Sequence, residues 1–187
     1  VNTKYNVLYN GDIALDEGTE ELNNNYRDNY WDILPIERLE VTDEIRLDSE
    51  GNNPKFTIAE EKATKAIQKH SMDIKYRERN PEIDGAFLLL GKSRYFDQRY
   101  IPALEAFNYI LKNNTDSDML IEATIWREKV NIRLENEELA IKNLKRLLKN
   151  AYLKDQEYAD ARAMMAQAYI NLKAPDTALQ QLRIAAV

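Results

Sequence analysis

The chain has 187 residues, 44% of them hydrophobic, with five glycines, five prolines, no cysteine and a formal charge of −6. That length and composition suit one helix-rich domain able to bury a core. No apolar run approaches the roughly twenty residues of a membrane-spanning helix, and without cysteine neither a thiolate metal site nor a Cys–His nucleophile can form.

The first expected element is a helix near the N-terminus. Leu8, Gly11 and Leu15 fall on one side of it, and it continues through Glu20-Glu21-Leu22 until Asn23-Asn24-Asn25 breaks it. Its partner helix is delayed by about thirty residues, a length that is unusual in a compact domain and more often functional than idle. Thr57-x-x-Glu60 then reads as a capping box, and Ile58, Ala59, Ala63, Ala66 and Ile67 carry a helix to about Met72. The expectation is a first helix pair over 1–72, interrupted by an insertion at 26–54.

Charge is unevenly placed around that insertion. Residues 1–50 carry thirteen acids against four bases, leaving +3 for the remainder. An asymmetry of this kind argues against nucleic acid as the main partner, because phosphate contacts need a dominant basic field. The insertion is not a disordered linker by composition, since it holds Tyr26, Tyr30, Trp31, Ile33, Leu34, Pro35, Ile36, Leu39 and Val41. Two readings stay open. Either Trp31 and Ile33-Leu34 cover the open end of the helix stack, or Tyr30, Trp31 and the acidic rim form a protein-docking surface. Asp48-Ser49-Glu50-Gly51-Asn52 lacks the alternating ligands and terminal Glu of a calcium loop, so no metal is expected there.

Asp84 to Ser117 carries the clearest pattern. Phe87, Leu90 and Tyr95 precede a tight turn at Asp97-Gln98-Arg99; then Tyr100, Ala103, Leu104, Phe107, Ile110 and Leu111 keep the spacing of one buried helix face. The places of Leu90-Gly91, Tyr100, Ala103 and Phe107 resemble the tetratricopeptide repeat. Copies follow in register, with Ala103, Ala140 and Ala178 spaced 37 and 38 residues apart, against the family's 34. The glycine position becomes Glu128 in the second copy, a weak match, and Ala166 in the third. Asn136 is placed to cap a helix, and Pro175 to sit in the first turn of another. The repeats are expected at 81–116, 117–152 and 155–187. The chain opens on Val and stops within a helical pattern, so it reads as a piece of a longer protein with further repeats to follow.

Catalytic candidates are few. His70, the one histidine, lies late in an amphipathic helix beside Ser71, where a structural or dipole-compensating role is expected. Lys142, Lys145, Arg146 and Lys149 form a basic stripe, which reads either as a solvated face suiting the helix dipole or as a docking face for an acidic partner. If the repeats stack conventionally, the first helix of each pair lines a concave floor. That places Lys92, Tyr95 and Phe96, then Lys129, Ile132 and Arg133, then Gln167, Ile170 and Asn171 on it, with Ile132 and Ile170 also open to a core role. Such a floor fits an extended peptide or a partner helix. It does not reproduce the clamp by which chaperone-binding repeats hold a terminal carboxylate.

A more specific likeness lies in NTKYNVLYNGDIAL, DNYWDILPIERLEV, AEEKATKAIQKHSM and AFLLLGKSRYFDQRY. Together they resemble the N-terminal region of the SprE/PorW family, repeat-containing lipoproteins of type IX secretion and gliding motility in Bacteroidetes. The resemblance implies a protein held at the periplasmic face of the outer membrane by a lipid anchor preceding Val1, bridging the secretion translocon and periplasmic ring components.

The sequence thus predicts an all-α, tetratricopeptide-like helix-pair solenoid of about eight helices, in one domain over 1–187. It is expected to be a non-enzymatic protein-binding scaffold without metal or cofactor. Its protein-binding candidates are Tyr30, Trp31, Lys92, Tyr95, Phe96, Lys129, Arg133, Gln167 and Asn171. The alternative is a periplasmic peptide- or cargo-binding chaperone; a cell-wall-binding or cell-wall-processing subunit, active through a downstream domain, ranks third.

Overall fold

The computed structural model of the chain describes residues 2–39, 53–71, 81–113, 116–150 and 152–186. Among them are eight helices and no strand: α1 (Asn2–Asn25), α2 (Pro54–Ser71), α3 (Pro81–Phe96), α4 (Tyr100–Asn113), α5 (Ser117–Arg133), α6 (Glu137–Asn150), α7 (Asp155–Asn171) and α8 (Pro175–Ala185). The chain divides into two compact units. The first comprises Val1–Tyr26 and Leu39–Thr115, the second Arg27–Arg38 and Asp116–Val187. Residues 27–38 of the insertion therefore belong to the second unit, although the chain on both sides of them belongs to the first.

Each unit is built the same way. In the first, α1 packs on α2, α2 on α3 and α3 on α4, while α1 also meets α3; in the second, α5 to α8 repeat this order and α5 meets α7. First helices side by side, each backed by its own second helix, make the tetratricopeptide-like arrangement. The first core gathers Ala14, Leu15, Phe56, Ala59, Ala63, Leu89, Leu90 and Ala106. The second gathers Ile121, Ile125, Ile132, Ala140, Ile141, Leu144, Ala161, Met164, Met165 and Ala168.

The register of the three copies is visible in their turns. Gln98, Glu135 and Lys173 have φ of 61°, 60° and 59°, the left-handed region, at the same 37 and 38 residue intervals as the buried alanines. Around Gln98, the Arg99 N–H donates to the Arg94 carbonyl at 2.8 Å and the Gln98 N–H to the Tyr95 carbonyl at 3.0 Å. The equivalent pairs are Asn136 to Asn131 at 2.9 Å with Glu135 to Ile132 at 3.2 Å, and Ala174 to Tyr169 at 2.8 Å with Lys173 to Ile170 at 2.9 Å. These are Schellman closures, which satisfy the orphan carbonyls of a helix end, made here without glycine. The carbonyls of Arg99, Asn136 and Ala174 then accept from Ala103, Ala140 and Ala178, starting the next helix. Pro175 sits in the first turn of α8 as expected.

Packing inside the pairs explains the residues that vary. A Cβ on Gly91 would lie 2.5 Å from Cε1 of Phe107, so the glycine is what admits the aromatic ring. In the second copy Glu128 occupies that place and is completely buried. Its carboxylate accepts from Arg127 Nε at 2.7 Å, Asn131 Nδ2 at 2.7 Å and Asn143 Nδ2 at 3.1 Å, the last crossing from α6 to α5. A buried charge persists only when paired and hydrogen-bonded, and these donors meet that condition. The weak match at Glu128 is therefore a polar substitute for a close apolar contact.

The Thr57-x-x-Glu60 capping box is not formed. The helix starts at Pro54, with Asn53 before it accepting the Lys55 N–H on its side-chain oxygen at 2.9 Å, while Thr57 Oγ1 donates back to the Asn53 carbonyl at 3.1 Å. Proline at the first position with asparagine ahead of it is the stronger start signal. Glu60 serves elsewhere, accepting from Arg94 Nε at 2.8 Å and pairing with Arg99. Arg99 is only 1% exposed, and its Nε donates to Asp97 at 2.8 Å. Asp97 in turn accepts the Asn53 N–H at 3.2 Å. The network fastens the α3–α4 turn to the start of α2.

Candidate functional site

The site begins with two cations on one face of α5. Lys129 and Arg133 are four residues apart, so their like charges share one side of the helix and disfavour each other unless an anion lies between. The anion is Glu37, from the insertion. It accepts from Lys129 Nζ at 3.2 Å and from Arg133 at 3.0 Å, and all three side chains are largely buried. Lys129 Nζ also lies 4.1 Å from the centre of the Trp126 ring, a cation–π distance.

The neighbouring residue is held from α7. The Ile36 N–H donates to Gln167 Oε1 at 2.8 Å, and the Ile36 side chain packs against the second core. Gln167 is oriented in turn, since its Nε2 donates to Asn171 Oδ1 at 2.9 Å and Asn171 Nδ2 donates to Glu137 at 3.1 Å. Pro35 ahead of Ile36 fixes its own φ and biases Leu34 toward extended backbone. The arrangement has three elements: a backbone hydrogen bond, an apolar contact and a doubly paired carboxylate. Lys129, Arg133, Gln167 and Asn171, the floor residues expected in this unit, are brought together, and the chain's own residues 36 and 37 lie on them.

The rest of the insert is braced as a loop. Arg38 pairs with Asp28 at 2.9 Å across its neck, while Asn29 accepts the Trp31 N–H at 3.2 Å and donates to Asp32 at 2.7 Å. Trp31 is 96% exposed and Tyr30 80%, and Ile33 and Leu34 are exposed as well. The expectation that Trp31 and Ile33-Leu34 cover the end of the stack is thus corrected. Apolar composition marks the loop as packing on something, but Ile36 makes that contact, and the four apolar side chains of Tyr30, Trp31, Ile33 and Leu34 are exposed.

In the first unit the expected floor is not an open one. Tyr95 is 1% exposed and meets Tyr100 and Phe96 edge-on, at 5.7 and 5.3 Å between ring centres. Phe96 stacks on Phe56 at 5.8 Å and packs against the first core. Tyr95 is a core side chain, corrected from its expected place on a binding surface, while Phe96 is half-buried. Lys92 lies near Asp12 of α1, whose carboxyl is raised above its ordinary value by burial, with Asp16 adding to the rise and Lys92 opposing it. Ile132 is buried in the second core, and Ile170 is half-buried.

Lys142, Lys145, Arg146 and Lys149 are exposed on α6. The side chains of His70 and Ser71 and the stretch 48–52 lie outside the described residues. Among the described residues no group of acidic and histidine side chains could hold a metal ion, and no helix is long and apolar enough to cross a membrane. Sequence reasoning does not find Glu37. Its signal is the unbalanced Lys129/Arg133 pair, which asks for an anion without saying from where. Compared with known proteins, the chain matches no family model and no curated sequence.

Proposed function

We propose that the chain is a non-enzymatic helical-repeat scaffold that binds protein partners through the loop at 27–38. The observation that carries this reading is the 96% exposure of Trp31 on a loop whose neck and turn are internally bonded. Holding a large aromatic in water has no stabilising role in the fold, whereas a braced loop with Tyr, Trp and Ile at its tip loses little conformational freedom when a partner covers it. The stacked helix pairs supply a rigid support.

The class of partner follows from the sequence likeness to the SprE/PorW family: protein subunits of the type IX secretion translocon and its periplasmic ring, met at the outer membrane. On this reading the protein bridges such subunits by presenting separate surfaces at once. A photo-crosslinking amino acid placed at position 31 in a Bacteroidetes cell tests it. Discrete crosslinks to secretion-system subunits support the proposal. Their absence, with crosslinks only to assorted unfolded proteins, favours the chaperone-like alternative.

A further inference from the structure

We infer that the α5–α7 face of the second unit is a recognition groove for a segment with an apolar residue followed by an acidic one, and that Ile36-Glu37 is its resident occupant in cis. The inference deepens the scaffold reading and rests on it, naming the chemistry of a second partner. Each contact reads one property of the occupant. Gln167 takes a backbone N–H, which any non-proline residue in that place offers; the core edge takes an apolar side chain; Lys129 and Arg133 take a carboxylate.

Part of the groove is prepared without Ile36 and Glu37. Gln167 is held by Asn171, which is held by Glu137, and Lys129 lies over Trp126. Gln167 and Lys129 are therefore positioned by α5, α6 and α7 themselves. The occupant, by contrast, is a loop belonging to this unit only through residues 27–38. A tethered segment competes with a free one at its effective concentration, on the order of millimolar for a short flexible link. A partner segment of the same chemistry enters by displacing residues 36 and 37, and its apparent affinity is lowered by the fraction of time they occupy the groove.

The experiment uses the full chain and a fluorescein-labelled peptide of residues 32–38, followed by anisotropy. With Glu37→Lys the cis carboxylate is lost and the introduced cation is repelled, so the peptide should bind at least about tenfold more tightly than to the unmodified chain. Adding Arg133→Glu should abolish that binding, as should replacing the peptide's own glutamate by lysine. In the unmodified chain, excess peptide should speed hydrogen exchange at the Ile36 amide, a readout that needs no variant. Binding to Glu37→Lys no tighter than to the unmodified chain, or equal binding of the lysine peptide, or an Ile36 amide indifferent to peptide, would overturn the inference. If the peptide fails while position-31 crosslinking still traps secretion subunits, the groove is discarded and the scaffold stands. Peptide binding without those crosslinks keeps the groove and discards the loop tip as a docking surface for those subunits.

Discussion

Glu37 and Arg133 are ninety-six positions apart in the chain and 3.0 Å apart in space. Lys129 shares the same carboxylate. The pairing holds an insertion between α1 and α2 on the floor formed by α5 and α7, and it leaves Tyr30 and Trp31 in solvent.

That relationship has a measurable strength. Side chains of this partial burial, in a charge-assisted pair, should couple by about 1 kcal/mol. A double-mutant cycle of Glu37→Ala and Arg133→Ala in urea should return that coupling, and it should shrink on adding salt. A cycle closing to zero would mean that the loop is not held by charge.

Gly91 is where a ring needs room. Alanine there gains about 1 kcal/mol of helix propensity but places a Cβ 2.5 Å from the Phe107 ring. Overpacking of this kind costs about 1–3 kcal/mol, so Gly91→Ala should be net destabilising by up to about 2 kcal/mol. Adding Phe107→Leu, which reproduces the Leu144 of the next copy, should recover part of the loss. Chemical denaturation of the unmodified chain and the two variants checks this.

Glu135 sits at φ 60°. An L-residue is penalised there by about 1–2 kcal/mol, and glycine is not, though glycine loses more entropy on folding. Glu135→Gly should therefore raise stability by about 0.5–1 kcal/mol, as Gln98→Gly and Lys173→Gly should in the other two turns. A thermal midpoint unchanged or lowered in all three would contradict the shared turn geometry.

Acid should loosen the α2–α3–α4 network through Glu60. Burial alone would raise its pKa, but hydrogen bonds from Arg99 and Arg94 outweigh that and hold it below the ordinary 4.5. A carboxylate with a depressed folded pKa contributes stability that is present above the unfolded value and is lost as pH falls through the folded one. Stability should accordingly decline as pH is lowered below about 4.5. Glu60→Gln should be less stable at pH 7 and show a shallower acid decline, with Asp12, whose pKa is raised by burial, working in the opposite direction. Denaturation midpoints from pH 7 to pH 3 measure both.

The helix pairs were legible because buried alanines recur at a fixed interval, and a repeat of turn and crossing point leaves that mark whatever fills the remaining positions. Glu128 was not, since a charged residue at a glycine place looks like an error until Asn131 and Asn143 are seen donating to it. Tyr95 is misplaced for a related reason. Helical periodicity says that a residue faces its neighbours, but not whether the next layer covers it. The site itself was half legible. The floor residues Lys129, Arg133, Gln167 and Asn171 follow from repeat register, whereas their occupant depends on a pairing across ninety-six positions that no local pattern encodes.

The central claim is that loop 27–38 offers Trp31 to a protein partner. Its most direct measurement is affinity capture from solubilised Bacteroidetes envelope, comparing the unmodified chain with Trp31→Ala and with Tyr152→Ala, a control aromatic that is 94% exposed elsewhere. Recovery of secretion-system subunits at a fixed ratio, lost with Trp31→Ala and kept with Tyr152→Ala, is the result expected. Equal recovery by all three chains would contradict the claim.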